Sequence, residues 1–348
     1  MTDAAQEKVF GRIYAPNEAW LAKRPAEAII EPELAIIDPH HHFWDVARDT
    51  YLLDEWSRDV GSGHNVEATV FIECGSMYRA DGPVELRPVG EIEFVVGLAA
   101  KSDRGAHGPT RAAAGIVGQA DLTLGDRVDP VLDAMEQAGQ GRFRGIRHAA
   151  GWDADPRIGN SHTTPGPGLY LQDDFRAGLA RLTARGLSLD ALVFHPQIDD
   201  LVDLARACPD ANIIANHACL PLGHGPYAGK GPENHARWLA SMTELAKCPN
   251  IVMKLGGLIM RFAAFDYHIA PMPPSSGELA ELWRPYLEPC IELFGAERCM
   301  FESNFPVDKM GIGFAGLWNA FKRLAADASK DEKRNLFAET ARRAYRLS

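Results

Sequence analysis

The sequence predicts an α/β protein built as one (β/α)8 TIM barrel, and three observations carry that expectation. Short apolar runs rich in β-branched residues recur eight times along the 348 residues, each of a length that suits a buried strand. Amphipathic stretches of helical period separate them, the rhythm of parallel strands joined by crossover helices. Long Gly/Pro-rich segments follow several of the runs, and in a barrel such loops gather over the C-terminal ends of the strands, where active sites are built.

In chain order the strand candidates are "LAIIDP", "ATVFIEC", "AGIVGQAD", "FRGIRHAA", "LSLDALVFHP", "NIIANHA", "NIVMKLGG" and "RCMFESN". The helical patterns between them include "DPVLDAMEQA", "LQDDFRAGLARLTARG", "DDLVDLARACP" and "ENHARWLASMTELAKCP", the last two closed by a proline that cannot continue the helix. Residues 1–33 form an N-terminal extension and 34–348 the barrel domain. The long loops are "GSMYRADGPVELRPVG", "GWDADPRIGNSHTTPGPG", "LPLGHGPYAGKGP" and "IMRFAAFDYHIAPMPPSSG".

A hydrophobic content of 46% against 24% charged residues suits a globular chain with a sizeable core. The formal net charge of -11, with no Lys/Arg-rich run, sets up a field that repels nucleic acid and anionic membranes. The six cysteines are scattered without a C-x-x-C pair, which fits reduced thiols in a cytoplasmic setting. The N-terminal stretch has neither the basic and apolar regions of an export signal nor an apolar span of about 18 residues. A small-molecule substrate is therefore the expected partner, with room left for a homodimer.

Candidate site residues stand at the strand ends. In "IIDPHHHFWD", His40 and His42 are two apart and share a side, whereas His41 points away. Paired imidazoles of this spacing hold a divalent metal or grip a substrate oxyanion. His148 closes the fourth run, His195 the fifth and His217 the sixth, so imidazoles distant in sequence converge at one mouth. Arg147 suits bidentate capture of a carboxylate, although His148 beside it means that one of the two faces outward. Lys254 can neutralise a developing oxyanion. Tyr78, Trp152 and Tyr267 lie in the long loops and are placed to line a pocket. No G-x-S-x-G elbow, Walker motif or dinucleotide fingerprint is present.

The motifs "IIDPHHHFWD", "FRGIRH", "IIANH", "NIVMKLGGL" and "FESNFPVD" resemble, in order, the strand-end motifs of the amidohydrolase superfamily. The branch they resemble holds L-fuconolactonase, L-rhamnonolactonase and 2-pyrone-4,6-dicarboxylate lactonase, and the match runs from about residue 34 to the C-terminus. The resemblance implies an amidohydrolase-type barrel that opens a small sugar-acid or aromatic-degradation lactone by attack of water. It carries His40 and His42 onto the first-strand pair, Arg147 onto a substrate-binding arginine and His217 onto the sixth-strand histidine. The eighth strand departs from the pattern, because Asn304 stands where the family places a catalytic aspartate. Asn304 takes no proton and ligates metal poorly, so Glu302, Asp308 and Glu73 become the carboxylates to watch as a replacement base.

Three histidines, His40, His42 and His217, suffice for a catalytic zinc, but without the Asn304 carboxylate the expectation is a weakly bound divalent metal or none. The imidazoles then chiefly grip a carboxylate-bearing substrate beside Arg147, His195, Glu73, Tyr78, Lys254 and Asp308. A zinc-dependent decarboxylase of an aromatic or muconate-type acid is the alternative, since sister branches use the same histidines. A ligand-binding barrel without activity is a second, motivated by Asn304.

Overall fold

The computed structural model describes residues 13–46, 49–159, 161, 163–259 and 270–348. Eight parallel strands follow one another around a single sheet in chain order. They are β1 (Ala35–His41), β2 (Asn65–Ile72), β3 (Arg111–Gly118), β4 (Phe143–Arg147), β5 (Ser188–Ala191), β6 (Asn212–Ala215), β7 (Ile251–Leu255) and β8 (Cys299–Phe301). The expected barrel is thus the observed one.

Its core has two compartments because side chains alternate across a strand. Ile36, Phe71, Ile116, Ile213 and Phe301 face outward into the layer shared with the helices. Their neighbours Ile37, Ile72, Val117, Ile214 and Met300 face inward, where Ala341, Ala344, Tyr345 and Leu347 from the C-terminal end of the chain plug the floor. Fully buried strands on both faces explain why the runs read as continuously apolar.

The seam between β8 and β1 is stitched beyond the regular ladder. Asn304 N donates to His40 O (2.9 Å) and His42 N to Phe305 O (2.8 Å). Pro39 has no N–H to offer, and the Asp38 carboxylate supplies what the ladder lacks. Its Oδ1 accepts from Ser303 N (2.9 Å) and His40 N (3.3 Å), and its Oδ2 from Ser303 Oγ (2.5 Å). The aspartate ahead of the histidines therefore closes the barrel, and closing it sets His40 beside residues 302–304.

After β1 the chain makes a two-stranded hairpin, Trp44–Val46 against Asp49–Tyr51, and Trp44 stacks over His42 with ring centroids 6.0 Å apart. Ahead of β1, residues 28–31 are clasped by the helix Phe314–Leu324. Asn319 Nδ2 donates to Ala28 O (3.0 Å), its Oδ1 accepts from Ile30 N (2.9 Å), and Lys322 Nζ donates to Glu31 O (2.9 Å).

His64 completes this clasp only when neutral, since one ring nitrogen donates to Ala315 O (3.1 Å) and the other meets Lys322 Nζ (2.9 Å). Burial, reinforced by the Lys322 charge, lowers its pKa from 6.5 to about 4. Between those values the unfolded chain binds a proton that the folded protein refuses. Stability is complete above pH 6.5 and is lost as pH falls toward 4, by up to about 1.4 kcal/mol per pH unit. Thermal unfolding of wild type and His64→Gln across this range tests it: the variant should show the shallower dependence, and equal slopes would refute the assignment.

Candidate active site

The inward positions above the apolar floor are polar, buried and drawn from most of the strand ends. His40, Glu73, Lys254, Glu302, Asn304 and Asp308 have no exposed surface. Cations and carboxylates pair off among them. Arg147, at the end of β4, donates from Nε to Glu73 Oε1 (2.6 Å) and from Nη2 to Glu73 O. Its side-on edge is thereby taken, and Nη1 is the group turned inward, 3.4 Å from His40 Nε2. Lys254 on β7 donates to Asp190 Oδ1 (2.7 Å), and its Nζ lies 3.2 Å from His40 Nδ1 and 4.0 Å from Glu302 Oε2.

Glu302 sits between two imidazoles. Its Oε1 accepts from His217 N (3.1 Å) and lies 2.7 Å from His217 Nδ1, while its Oε2 lies 2.7 Å from His40 Nδ1. A carboxylate can only accept from His217 Nδ1, so the hydrogen resides there and Nε2 presents a bare lone pair. That Nε2 is buried with no hydrogen-bond partner among the described residues. Burial, helped by the Lys254 charge, holds the His40 pKa well below its ordinary value and keeps the ring neutral.

His217 follows β6 on an unusual backbone. Residues His217, Ala218, Cys219 and Leu220 all have positive φ, at 56°, 48°, 55° and 33°, a conformation that costs roughly 1–3 kcal/mol per non-glycine residue. Bonds from His195 N to Leu220 O (3.1 Å) and from Trp238 Nε1 to Ala218 O (2.9 Å) help to hold it. Room for the ring comes from Gly257, where a Cβ would stand 2.0 Å from His217 Nδ1. At Gly256 a Cβ would stand 2.3 Å from Glu302 O. The paired glycines of "KLGG" are the space that the dyad occupies.

The other sequence-selected residues fall into clear places. His42 has Nδ1 donating to Ile72 O (2.8 Å) and Nε2 3.4 Å from Asn304 Oδ1. Asn304 Nδ2 donates to Asp308 Oδ1 (2.9 Å), and burial pushes the Asp308 carboxyl well above its ordinary range. Glu73 is the partner of Arg147. Tyr78 is 36% exposed, and burial, followed by the Glu73 charge, raises its pKa. β4 ends at Arg147, and His148 turns away to accept at Nδ1 from Leu122 N (3.2 Å). His195 opens a 3-10 turn after β5 and accepts at Nδ1 from Leu222 N (3.0 Å), its ring edge-on to Tyr227 at 5.1 Å. Trp152 N donates to Gln197 Oε1 (2.9 Å). Tyr267 lies outside the described residues.

Among the described residues, three could hold a metal ion: the donor atoms of His40, His217 and Glu302 lie within 4.8 Å of one another. Two imidazoles and a carboxylate match the donor set of catalytic zinc sites that keep an open position. In this group Glu302 stands where the sequence reading had His42.

A sequence profile of amidohydrolases matches residues 37–347. The chain belongs to the amidohydrolase family. This amidohydrolase is 31% identical to the uncharacterised protein y4mH of Sinorhizobium fredii, over 90% of this chain and 99% of that one. It is 27% identical to an L-fucono-1,5-lactonase of Burkholderia ambifaria, over 89% and 95% of the two chains. Among solved structures it resembles an amidohydrolase from Burkholderia multivorans with bound zinc, at TM-score 0.68 and 24% identity, over 90% of this chain and all of that one. At that identity the likeness concerns the fold. As a family member the protein is a hydrolase, and no helix among its described residues is long and apolar enough to cross a membrane.

Sequence reasoning missed the supporting residues Asp38, Asp190, Asn216, Glu91 and Tyr345. Glu91, on the helix Val89–Ser102, accepts from Cys74 N (3.0 Å) and Ser76 N (2.8 Å) and shapes the turn that carries Glu73. Burial, with Glu73 nearby, pushes its carboxyl up to about 8. The available signal for Asp190 was an acid inside the apolar run "LSLDALVF", since a charge there requires a partner across the barrel.

Proposed function

We propose that this amidohydrolase opens small, uncharged lactones by adding water to the ring carbonyl. The observation that carries the reading is the buried Glu302–His217 dyad, with His217 Nε2 bare and the inward edge of Arg147 close by. The likeness to L-fucono-1,5-lactonases over nearly the whole chain supports a lactone as the substrate.

In this reading His217 Nε2 takes a proton from water, and Glu302 stabilises the imidazolium through Nδ1–H, as a carboxylate does behind a catalytic histidine. The oxygen adds to the carbonyl carbon, and Arg147 Nη1 faces the charge that develops on the carbonyl oxygen. The ring C–O bond breaks, the proton passes from His217 to the leaving alkoxide, and the new carboxylic acid ionises to release one proton. His42, fixed by Ile72 O, orients the substrate from the side of β1. Were a divalent ion held by His40, His217 and Glu302, His217 and Glu302 would serve as ligands in place of the dyad, and the ion would supply Lewis-acid polarisation of the carbonyl.

An uncharged substrate follows from the pairing of charges. Among the described residues, the two cations at the site, Arg147 and Lys254, already have Glu73 and Asp190 as partners. A substrate carboxylate entering here would be buried without a cation of its own, which is costly. This reading departs from the carboxylate-bearing substrate expected from the sequence.

A lactone panel in weak buffer near neutral pH, followed by acid release and product analysis, tests the proposal. Uncharged sugar-type lactones should turn over with one proton and no CO2 per event, and lactones carrying a carboxylate should react poorly. Release of CO2 from an aromatic acid would favour the decarboxylase, and turnover of any panel member dismisses the inactive barrel. Preference for carboxylated lactones would overturn the charge argument.

A further inference from the structure

We infer that Tyr345, which enters through the barrel floor from the C-terminal end of the chain, is a positioning residue for the active site. It acts through Asp190 and Lys254 to fix how His40 is held.

The path consists of direct contacts between fully buried groups. Tyr345 lies just after the short helix Thr340–Ala344, and its neighbours Ala341 and Ala344 pack with Ile37, Val70, Ile214 and Met300 in the lumen. This packing accounts for the ring of Tyr345 but not for its hydroxyl, because a phenylalanine would fill the same floor. The hydroxyl donates to Asp190 Oδ1 (2.8 Å). The same oxygen accepts from Lys254 Nζ (2.7 Å) and Asn216 Nδ2 (3.1 Å). Three donors thus converge on one carboxylate oxygen, while Oδ2 is buried without a hydrogen-bond partner among the described residues. Such one-sided loading fixes the direction in which the carboxylate points, and with it the place of the ammonium. Lys254 Nζ also stands 5.4 Å from the centre of the Tyr345 ring, so the tyrosine touches the lysine by a second route.

The far end of the path is His40 Nδ1, which lies between Lys254 Nζ at 3.2 Å and Glu302 Oε2 at 2.7 Å. The ammonium offers hydrogen to that nitrogen, while Glu302 Oε2 stands beside it as a competing acceptor that has no hydrogen-bond partner among the described residues. The balance between them therefore decides which ring nitrogen carries the hydrogen and which presents a lone pair to the substrate side, where Arg147 Nη1 waits. Removing the Tyr345 hydroxyl leaves Asp190 more charge to spend on Lys254. The ammonium is drawn toward Asp190 and away from His40, and the ring shifts toward donating to Glu302.

Tyr345→Phe tests this, since it deletes one oxygen and keeps the plug. Two readouts separate positioning from mere stability. The side-chain 15N resonances of His40 should shift toward the Nδ1–H form in the variant, while those of the outward-facing His41 stay put. With a lactone substrate, kcat should fall about tenfold, the scale of one hydrogen bond to a charged group, with KM changed less than about twofold. Unchanged His40 resonances, whatever happens to the melting temperature, would overturn the inference. So would a loss of activity carried by KM alone. The inference builds on the proposed lactone chemistry for its kinetic arm only. If wild type hydrolyses no lactone, that function fails, and the resonance arm still decides the role of Tyr345.

Discussion

Glu302→Gln is expected to yield a folded barrel whose kcat is lower by about 10²–10⁴-fold. The substitution keeps the volume and removes the charge. Glu302 now accepts from both His217 N and His217 Nδ1 through Oε1 and reaches His40 with Oε2. A glutamine amide has one accepting oxygen, so its NH2 must face one of the two imidazoles and favours the tautomer with a bare Nδ1 there. If that ring is His217, its Nε2 carries the hydrogen and can no longer take a proton from water. If it is His40, the dyad survives in geometry but lacks the negative charge that stabilises the imidazolium. Both outcomes lower kcat, and both weaken any divalent ion held by the trio. Steady-state kinetics, melting temperature and elemental analysis of the two proteins check this together. A variant retaining wild-type kcat would remove Glu302 from the mechanism, and loss of activity with loss of folding would be judged on Glu302→Asp as the charge-retaining comparison.

Gly257→Ala should cost about a hundredfold in kcat/KM, because a displacement of about 1 Å at a reacting group has that effect. An added Cβ would meet His217 Nδ1 at 2.0 Å, its Cγ at 2.5 Å and its Cε1 at 2.7 Å, and Gly257 has φ of 66°. Neither ring nor backbone can keep its place. The strained φ adds roughly 1–3 kcal/mol of destabilisation, which a melting experiment reads separately. Gly97→Ala is the control, since nothing lies within 4 Å of its added Cβ and it sits exposed in the helix Val89–Ser102. That change should leave activity alone and hold or raise stability by up to about 1 kcal/mol. Wild-type activity in Gly257→Ala would mean that the His217 ring has freedom the structure does not suggest.

These two expectations show why the "KLGG" and "FESNFP" motifs belong together. The glycines are empty so that the histidine of one strand and the glutamate of another can meet, 85 positions apart in the chain. A motif-by-motif reading assigns Lys254 to the substrate and sees no purpose in the glycines after it. With Glu302 in place, the missing aspartate at Asn304 also finds an explanation. The site has a carboxylate two residues earlier, and Asn304 serves as backbone at the β8–β1 seam and as a hydrogen-bond partner of Asp308.

The sequence by itself determined the barrel, the order of its strands, and the end of each strand at which chemistry gathers. Those features follow from local periodicity and from where apolar runs stop, which any short window of the chain displays. It also determined that His40, Glu73, Arg147, His217, Lys254 and Glu302 stand at those ends. Only the tertiary structure decided their partners. Glu73 answers Arg147, Asp190 answers Lys254, and Glu302 rather than His42 completes the group that could hold a metal. The same holds for Tyr345, which reaches Asp190 across 155 positions. The physical reason is that pairing between buried charges depends on which side chains share one layer of the lumen. That is fixed by strand register and barrel closure, and no local pattern in the sequence encodes it.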